Sequence, residues 1–233
     1  HVQPLCTPTR VALMTGLHNV RNYLNFGTLP RTETTFGHLF QRAGYATGVC
    51  GKWQLGKEID SPKHFGFDES CLWQHTRRPP RYVNAGLEYN GIEKAFWNGQ
   101  YGPDLVNEFA IDVVTRHKAS PFFRYYPMIL THDPFQPTPD SANWDPKAIG
   151  GGVNKEVKHC ADMVAYADKM VGRLEAKLGE LVIRDNTLLV STSAGDSARS
   201  ARRVKQQDNN PSSFYHTYTA RASALVEISG GAV

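Results

Sequence analysis

Cys6 opens the run Cys6-Thr7-Pro8-Thr9-Arg10, one of four cysteines in a chain of 233 residues. The others are Cys50, Cys71 and Cys160, and none forms a C-x-x-C pair. That spacing does not suit zinc, which is usually bound through closely paired cysteines. A cysteine at position 6 can be a packed thiol, half of a disulfide, a metal ligand or a nucleophile. Pro8, the apolar run Val11-Ala12-Leu13-Met14 and Gly16 predict a short helix over 8–15. Cys6 then stands at the start of that helix, where open backbone N–H groups and the helix dipole favour an anion. Arg10, four residues on, reaches back toward the same point. A thiolate, an oxyanion or a bound oxyacid would be stabilised there. Three more residues carry usable chemistry: Lys52 and Gln54 in "GYATGVCGKWQLG" (44–56), and His132 at the end of "FFRYYPMILTH" (122–132). By themselves these read as a surface lysine, a polar loop residue and a solvated histidine. Trp53 reads as packing.

These side chains must be held by a scaffold. Thr34 or Thr35 caps a predicted helix over 34–43, with Phe36, Leu39, Phe40 and Ala43 on one face and Gly44 as its stop. "YATGVCG" reads as a short strand. Residues 61–103 are rich in Pro, Gly, Asn and aromatics and predict a long irregular excursion across the surface. Asp104 caps a predicted helix to about Lys118, with Leu105, Phe109 and Val113 facing inward. A buried strand over 122–132 follows, then a Pro-rich loop and a turn at "IGGGVN". Val157, Cys160, Val164, Ala167, Val171, Leu174, Leu178 and Leu181 recur at helical steps across 155–181. "TLLVSTS" (187–193) is a strand. Beyond Ser193 the chain is polar until "ASALVEIS". Helices alternating with short apolar strands imply an α/β sheet with helices on both faces. Sites in such folds form at the C-terminal ends of strands, here after Cys50, at Thr131-His132 and after Ser193.

The chain is long enough for one domain with a substantial core. Its 40% hydrophobic and 21% charged residues suit a globular chain. The net charge is only +4. Basic residues cluster at Arg77, Arg78 and Arg81, and again at Arg199, Arg202, Arg203 and Lys205. They read as solvated loops or as a funnel for anionic substrates. No nucleic-acid partner is expected. No apolar run reaches membrane-spanning length. No signal peptide precedes the first motif, and a start at His1 suggests a segment of a longer protein.

Cys6-Thr7-Pro8-Thr9-Arg10 followed by "VALMTG" resembles the signature of the sulfatase family, formylglycine-dependent members of the alkaline-phosphatase-like superfamily. The family form is C-x-P-S/T-R, two residues, an apolar pair, then a small residue before Gly. "GYATGVCGKWQLG" is similar to a second family signature, G-Y-x-T-x-x-x-G-K-W-H-L-G. The strand ending in His132-Asp133-Pro134-Phe135 and the stretch 163–193 resemble further family segments, so the likeness covers most of 4–193. It implies one partial catalytic domain over 1–233, with a mixed, mostly parallel sheet sandwiched by helices and a poorly matched tail at 194–233.

The chemistry that the resemblance implies is hydrolysis of a sulfate monoester. A maturation enzyme oxidises the motif cysteine, Cys6, to formylglycine, whose hydrate is the nucleophile. Arg10 holds that diol, Pro8 and Thr9 serve the maturation enzyme and the helix start, Lys52 grips a sulfate oxygen, and His132 is a sulfate ligand or proton donor. The sequence departs from the pattern at three places. Gln54 replaces a histidine, so it can hydrogen-bond at the site but not titrate. The family binds a divalent cation, usually Ca2+, between the nucleophile and four oxygen-bearing residues. Two aspartates of that set lie upstream of the motif in the family, outside this chain, and the Asp-Asn pair reads Ala194-Gly195. Asp196, with Ser197, is the remaining candidate ligand beside the modified Cys6. Lys205 lacks the glycines of the family's second sulfate-binding lysine, so no role is carried to it. Loss of the cation removes several kcal/mol of charge stabilisation, roughly a Lewis-acid term, so weak or absent turnover is expected of these residues alone.

The substrate implied is a sulfated small molecule or sulfated glycan. Trp73, Tyr82, Tyr89, Phe96, Trp97 and Tyr101, with neighbouring arginines, would suit a sulfated sugar, or would be ordinary packing. Family members work in the periplasm, in secretions or in lysosomes. Two alternatives stay open: a phosphate or phosphonate ester hydrolase of the same superfamily, and a non-catalytic binder that keeps only the anion pocket.

Overall fold

A computed structural model describes residues 5–73, 75–77, 79–132, 134–147, 158–193 and 223–229. Among the described residues seven strands form one mixed sheet: β1 (Ala46–Gly51), β2 (Glu69–Trp73), β3 (Gly86–Tyr89), β4 (Ile92–Ala95), β5 (Phe122–Pro127), β6 (Thr187–Ser193) and β7 (Ser223–Ser229). Their order is β4-β3-β2-β1-β5-β7-β6. β1 runs parallel to β2 and to β5, and these three make the centre. The wings are antiparallel, β3 and β4 on one side and β7 and β6 on the other. The sheet is mixed, as expected, with its parallel pairs at the centre and its antiparallel pairs in the wings. Parallel pairing holds where helical crossovers join the strands, whereas tight turns can join only antiparallel neighbours.

Side chains alternate along the central strands and feed two cores. Val49, Leu72, Phe123 and Tyr125 pack with Val11 and Met14 of α1 (Cys6–Thr15) and with Phe36 of α3 (Phe36–Arg42). Cys50, Cys71, Phe122 and Tyr126 pack on the other face against α5 (Gly102–Arg116) and α6 (His159–Glu180). Two shorter helices, α2 (Asn19–Asn22) and α4 (Ser61–His64), lie between α1 and β2 in the chain. All four cysteines are free thiols; Cys50, Cys71 and Cys160 are packed in the core, and Cys6 is half-buried. No helix among the described residues is long and apolar enough to cross a membrane.

Several boundaries differ from those read in the sequence. α1 begins at Cys6 rather than Pro8, with Leu5 at its N-cap, so Cys6 is the first helical residue. Thr35 caps α3, reciprocated by the His38 ring in a capping box. α5 begins one residue before Pro103, and Tyr101 occupies the N-cap position assigned to Asp104. The Asp104 carboxylate instead accepts from the Tyr166 hydroxyl at 2.9 Å and from Arg173 at 3.1 Å, tying α5 to α6. Val106, Ala110, Val113 and Val114 form the buried face of α5, with Leu105 and Phe109 at its margins. β5 stops at Pro127, and Met128–His132 leave the sheet. The turn expected at "IGGGVN" and residues 155–157 lie outside the described residues.

The largest difference is at 61–103, expected to be an irregular surface excursion. It supplies α4, β2, β3 and β4, three of the seven strands. Asn90 and Gly91, both at positive φ, close a two-residue hairpin between Tyr89 and Ile92. Most of its aromatics serve the core: Trp73, Tyr82, Phe96 and Tyr101 are buried, and only Trp97, at 78% exposure, is fully open to solvent.

Candidate active site

The site is built where the end of β1 crosses the start of α1. At Gly51 the backbone takes φ +112°, and a Cβ there would fall 2.1 Å from the Pro127 carbonyl oxygen. Only glycine permits this approach. It lets the Lys52 N–H donate to Pro127 O at 2.7 Å, the last link between β1 and β5. The chain then passes over α1. Arg10, 2% exposed, donates through Nη1 to the carbonyls of Lys52 and Trp53 and through Nη2 to Gln54 Oε1 at 3.2 Å. Trp53 is buried, its indole donating to Ser61 at 2.9 Å, which anchors the segment from behind. Gln54 takes a left-handed φ of +54°. Its carbonyl accepts from the buried Thr7 hydroxyl at 3.4 Å.

These constraints set three polar groups around the first residue of α1. The Cys6 thiol donates to Gln54 Oε1 at 3.2 Å, and Lys52 Nζ lies 3.7 Å from the sulfur. Burial pushes the Cys6 thiol up, but the charges of Lys52 and Arg10 and a hydrogen bond from Arg10 outweigh it, and the thiol ends below its ordinary range. Lys52 is 5% exposed. Burial, and then the neighbouring Arg10 charge, push its ammonium down to about 7. Between about pH 7 and the ordinary lysine pKa of ~10.4, the unfolded chain therefore holds a proton that the folded chain has released. Stability contributed by this group rises with pH across that window, and below it the full cost of burying the charge is carried. Lys52→Met is expected to flatten the rise in the urea unfolding midpoint between pH 7 and pH 9. An unchanged slope would mean that Lys52 is solvated.

Among solved structures, the chain superposes on Ps i-CgsB with a TM-score of 0.69 at 21% identity, over 97% of this chain and 55% of that one. On the PsFucS1 sulfatase from Pseudoalteromonas sp. the TM-score is 0.58 at 15% identity, over 99% and 53%. A family model, Sulfatase, matches residues 1–217. The chain belongs to the sulfatase family. It is 26% identical to human (Homo sapiens) N-acetylgalactosamine-6-sulfatase, covering 89% of this chain and 44% of that protein. It is 29% identical to Arylsulfatase A of Bos taurus, covering 81% and 42%. This sulfatase chain spans less than half the length of these two relatives.

His132 of this sulfatase lies five residues past the end of β5. Tyr82 OH donates to its carbonyl oxygen, and its own N–H donates to Ile129 O at 3.2 Å. Arg81 Nη1 stands 2.7 Å from its Nδ1. A guanidinium can only donate, so Nδ1 accepts and the neutral ring carries its proton on Nε2. Lys52, Gln54, Trp73, His75, Arg81 and His132 line one cleft of about 450 Å³. Cys6 meets that cleft through Lys52 and Gln54, and Arg10 supports it from the buried side. The structure thus gathers the five sequence-derived residues on one side of the sheet's C-terminal edge.

Two features were not singled out from the sequence. Arg81 was read only as part of a basic cluster. His75 and Glu88 form a buried pair, Nδ1 to Oε2 2.5 Å, in the cleft wall; the register of β3, which points Glu88 inward, is the only signal, and it was hidden while 61–103 read as loop. Asp196, Ala194, Gly195 and Lys205 lie outside the described residues. Among the described residues, no group of three or more His, Cys, Asp or Glu side chains could hold a metal ion. Those residues alone do not fit the hard oxygen shell that calcium requires.

Proposed function

We propose that this chain carries the nucleophile and sulfate grip of a sulfuric ester hydrolase that acts on a sulfated small molecule or glycan. The observation that supports it is Cys6 at the first position of α1, with Lys52 Nζ, Gln54 Oε1 and Arg10 converging on its side chain. A polar, cationic cradle of this kind fits an oxygen nucleophile and an oxyanion better than a packed thiol. Formylglycine made from Cys6 supplies, as its hydrate, one oxygen that bonds sulfur while the ester S–O bond breaks and a second that, on losing its proton, expels sulfate and restores the aldehyde.

The chain's own residues manage charge and protons. Lys52, charged once an anion is beside it, neutralises an oxygen of the transferring group. Arg10 fixes the 52–54 segment and extends positive charge to position 6. Gln54 accepts a hydrogen bond from that side chain, orienting it without titrating. His132 donates a hydrogen bond from Nε2 to the departing alcohol oxygen and offsets its developing charge, and water supplies the proton that completes the alcohol. The reading carries a maturation enzyme as partner and the periplasm, secretions or lysosome as compartment. The name of one relative, N-acetylgalactosamine-6-sulfatase, fits a sulfated sugar as substrate.

The test is to produce the chain beside a formylglycine-forming enzyme. The peptide containing Cys6 is expected to become lighter than its thiol form and to react with hydrazides. The matured protein, supplied with the remainder of its parent sequence where one exists, is expected to hydrolyse an aryl sulfate faster than the matching aryl phosphate. The reverse preference would favour the phosphoryl alternative. A modified Cys6 that binds aryl sulfate with no turnover would favour the non-catalytic binder, and a thiol left untouched would overturn the nucleophile assignment.

A further inference from the structure

We propose that the cleft holds a second subsite, for a second oxyanion carried by the leaving group of the substrate, and that Arg81 reads it. The inference rests on the reading of the cleft as a sulfate-ester site. At about 450 Å³ the cleft falls within the usual range for small-molecule sites, about 300–1,000 Å³, so it accommodates a leaving group as well as a sulfate. The nucleophile end has its own charges in Lys52 and Arg10. Arg81 adds another from a different segment.

The guanidinium of Arg81 is held in place before any ligand arrives. Its Cζ lies 4.3 Å from the centroid of the Trp73 ring, which fixes its plane. Nη1 is engaged with His132 Nδ1 at 2.7 Å. A guanidinium has five N–H donors, and this leaves most of the fork for another acceptor. Five arginines are paired with carboxylates, Arg31 with Asp60, Arg77 with Glu93, Arg116 with Glu69, Arg173 with Asp104 and Arg184 with Glu175, whereas Arg10 is spent on the carbonyls of the 52–53 segment and on Gln54. Arg81 has no ionic partner among the described residues. The nearby acid Glu88 is committed to His75 and Thr76, and Glu58, on the rim, acts on Arg31. Arg81 and Lys52 line the same cleft, so the two basic groups face one space. A preset, unpaired planar fork beside a sulfate grip recognises a carboxylate or a second sulfate, which it can meet with two parallel hydrogen bonds.

Titration calorimetry of the chain with three ligands on one ring tests this: phenyl sulfate, carboxyphenyl sulfate and phenylene disulfate, the last two in ortho and meta forms. At least one dianion is expected to bind at least about tenfold more tightly than phenyl sulfate, the scale of one charge-assisted pair. The carboxylate and disulfate arms show which oxyanion the fork prefers. Arg81→Gln is expected to bring the ratio of dianion to monoanion affinity to within about twofold of one, and Arg81→Lys to keep part of it. Arg31→Gln, which removes an equal charge from the rim, is expected to keep the ratio and so separates recognition from general attraction. A preference that survives Arg81→Gln, or a wild-type chain that binds all ligands equally, overturns the subsite alone. No binding of any of them overturns the subsite and the sulfate-ester reading together.

Discussion

On the proposed reading, Cys6→Ala is expected to lower kcat/KM for an aryl sulfate by at least about 10⁴-fold relative to the matured protein, the scale of deleting a covalent nucleophile. The loss is chemical rather than structural. Cys6 is half-buried, alanine favours a helix, and the polar contacts of the side chain, to Gln54, Lys52 and Arg10, are few. The melting temperature is therefore expected to move by no more than a few degrees. Arg10→Met behaves differently. It removes the donor to the carbonyls of Lys52 and Trp53 and one of the hydrogen bonds that hold Gln54, so activity and melting temperature are expected to fall together. Kinetics and calorimetry on the two variants separate a reacting group from a positioning one. Retention of more than a hundredth of the activity in Cys6→Ala would move the nucleophile elsewhere.

Gly51→Ala is expected to cost about 3 kcal/mol or more, because two penalties coincide. The residue sits at φ +112°, and the added Cβ would meet the Pro127 carbonyl at 2.1 Å, backbone that no side-chain rotation can clear. Relief requires β1 and β5 to part at their C-terminal ends, which breaks the Lys52 N–H to Pro127 O bond and displaces Lys52. Anion affinity should fall with stability. Gly16→Ala is the control. Its φ is +69°, but nothing lies within 4 Å of the added carbon, so only the conformational cost of about 1 kcal/mol applies. Urea unfolding of both variants checks the difference. Equal costs would show that the strands do not approach so closely at Gly51.

What could be read in the sequence was mostly local. Cys6 and Arg10 share one short helix, and their relation follows from its period. α3 and α6 announce themselves through caps and apolar steps, and β6 through its composition. Cys6 and Lys52 are 46 positions apart, and no periodicity joins them; only the paired motifs did, and the sheet supplies the reason, since β1 delivers Lys52 to the start of α1. The wing β2–β3–β4 was missed because its strands are four or five residues long and β4 is exposed along its whole length, so no two-residue alternation shows. Asn90-Gly91 was the legible signal there, a hairpin turn in the middle of a stretch taken for loop. Arg81 was out of reach: its standing depends on Trp73 beneath it and His132 beside it, which only the assembled fold brings together.

The order of the strands also sets a timetable for synthesis. β7 lies between β5 and β6, yet it is the last of the three to leave the ribosome. Among the described residues β7 is the strand that β6 pairs with, so that pairing cannot form when β6 emerges. Until Ser223–Ser229 arrives, one edge of β5 stays unpaired, although the strand's residues are all buried in the finished fold. An open edge of this kind is a template for wrong partners. A chain cut short before Ser223 would lack the strand that covers this edge of β5, so the last described strand guards the centre of the sheet against wrong partners.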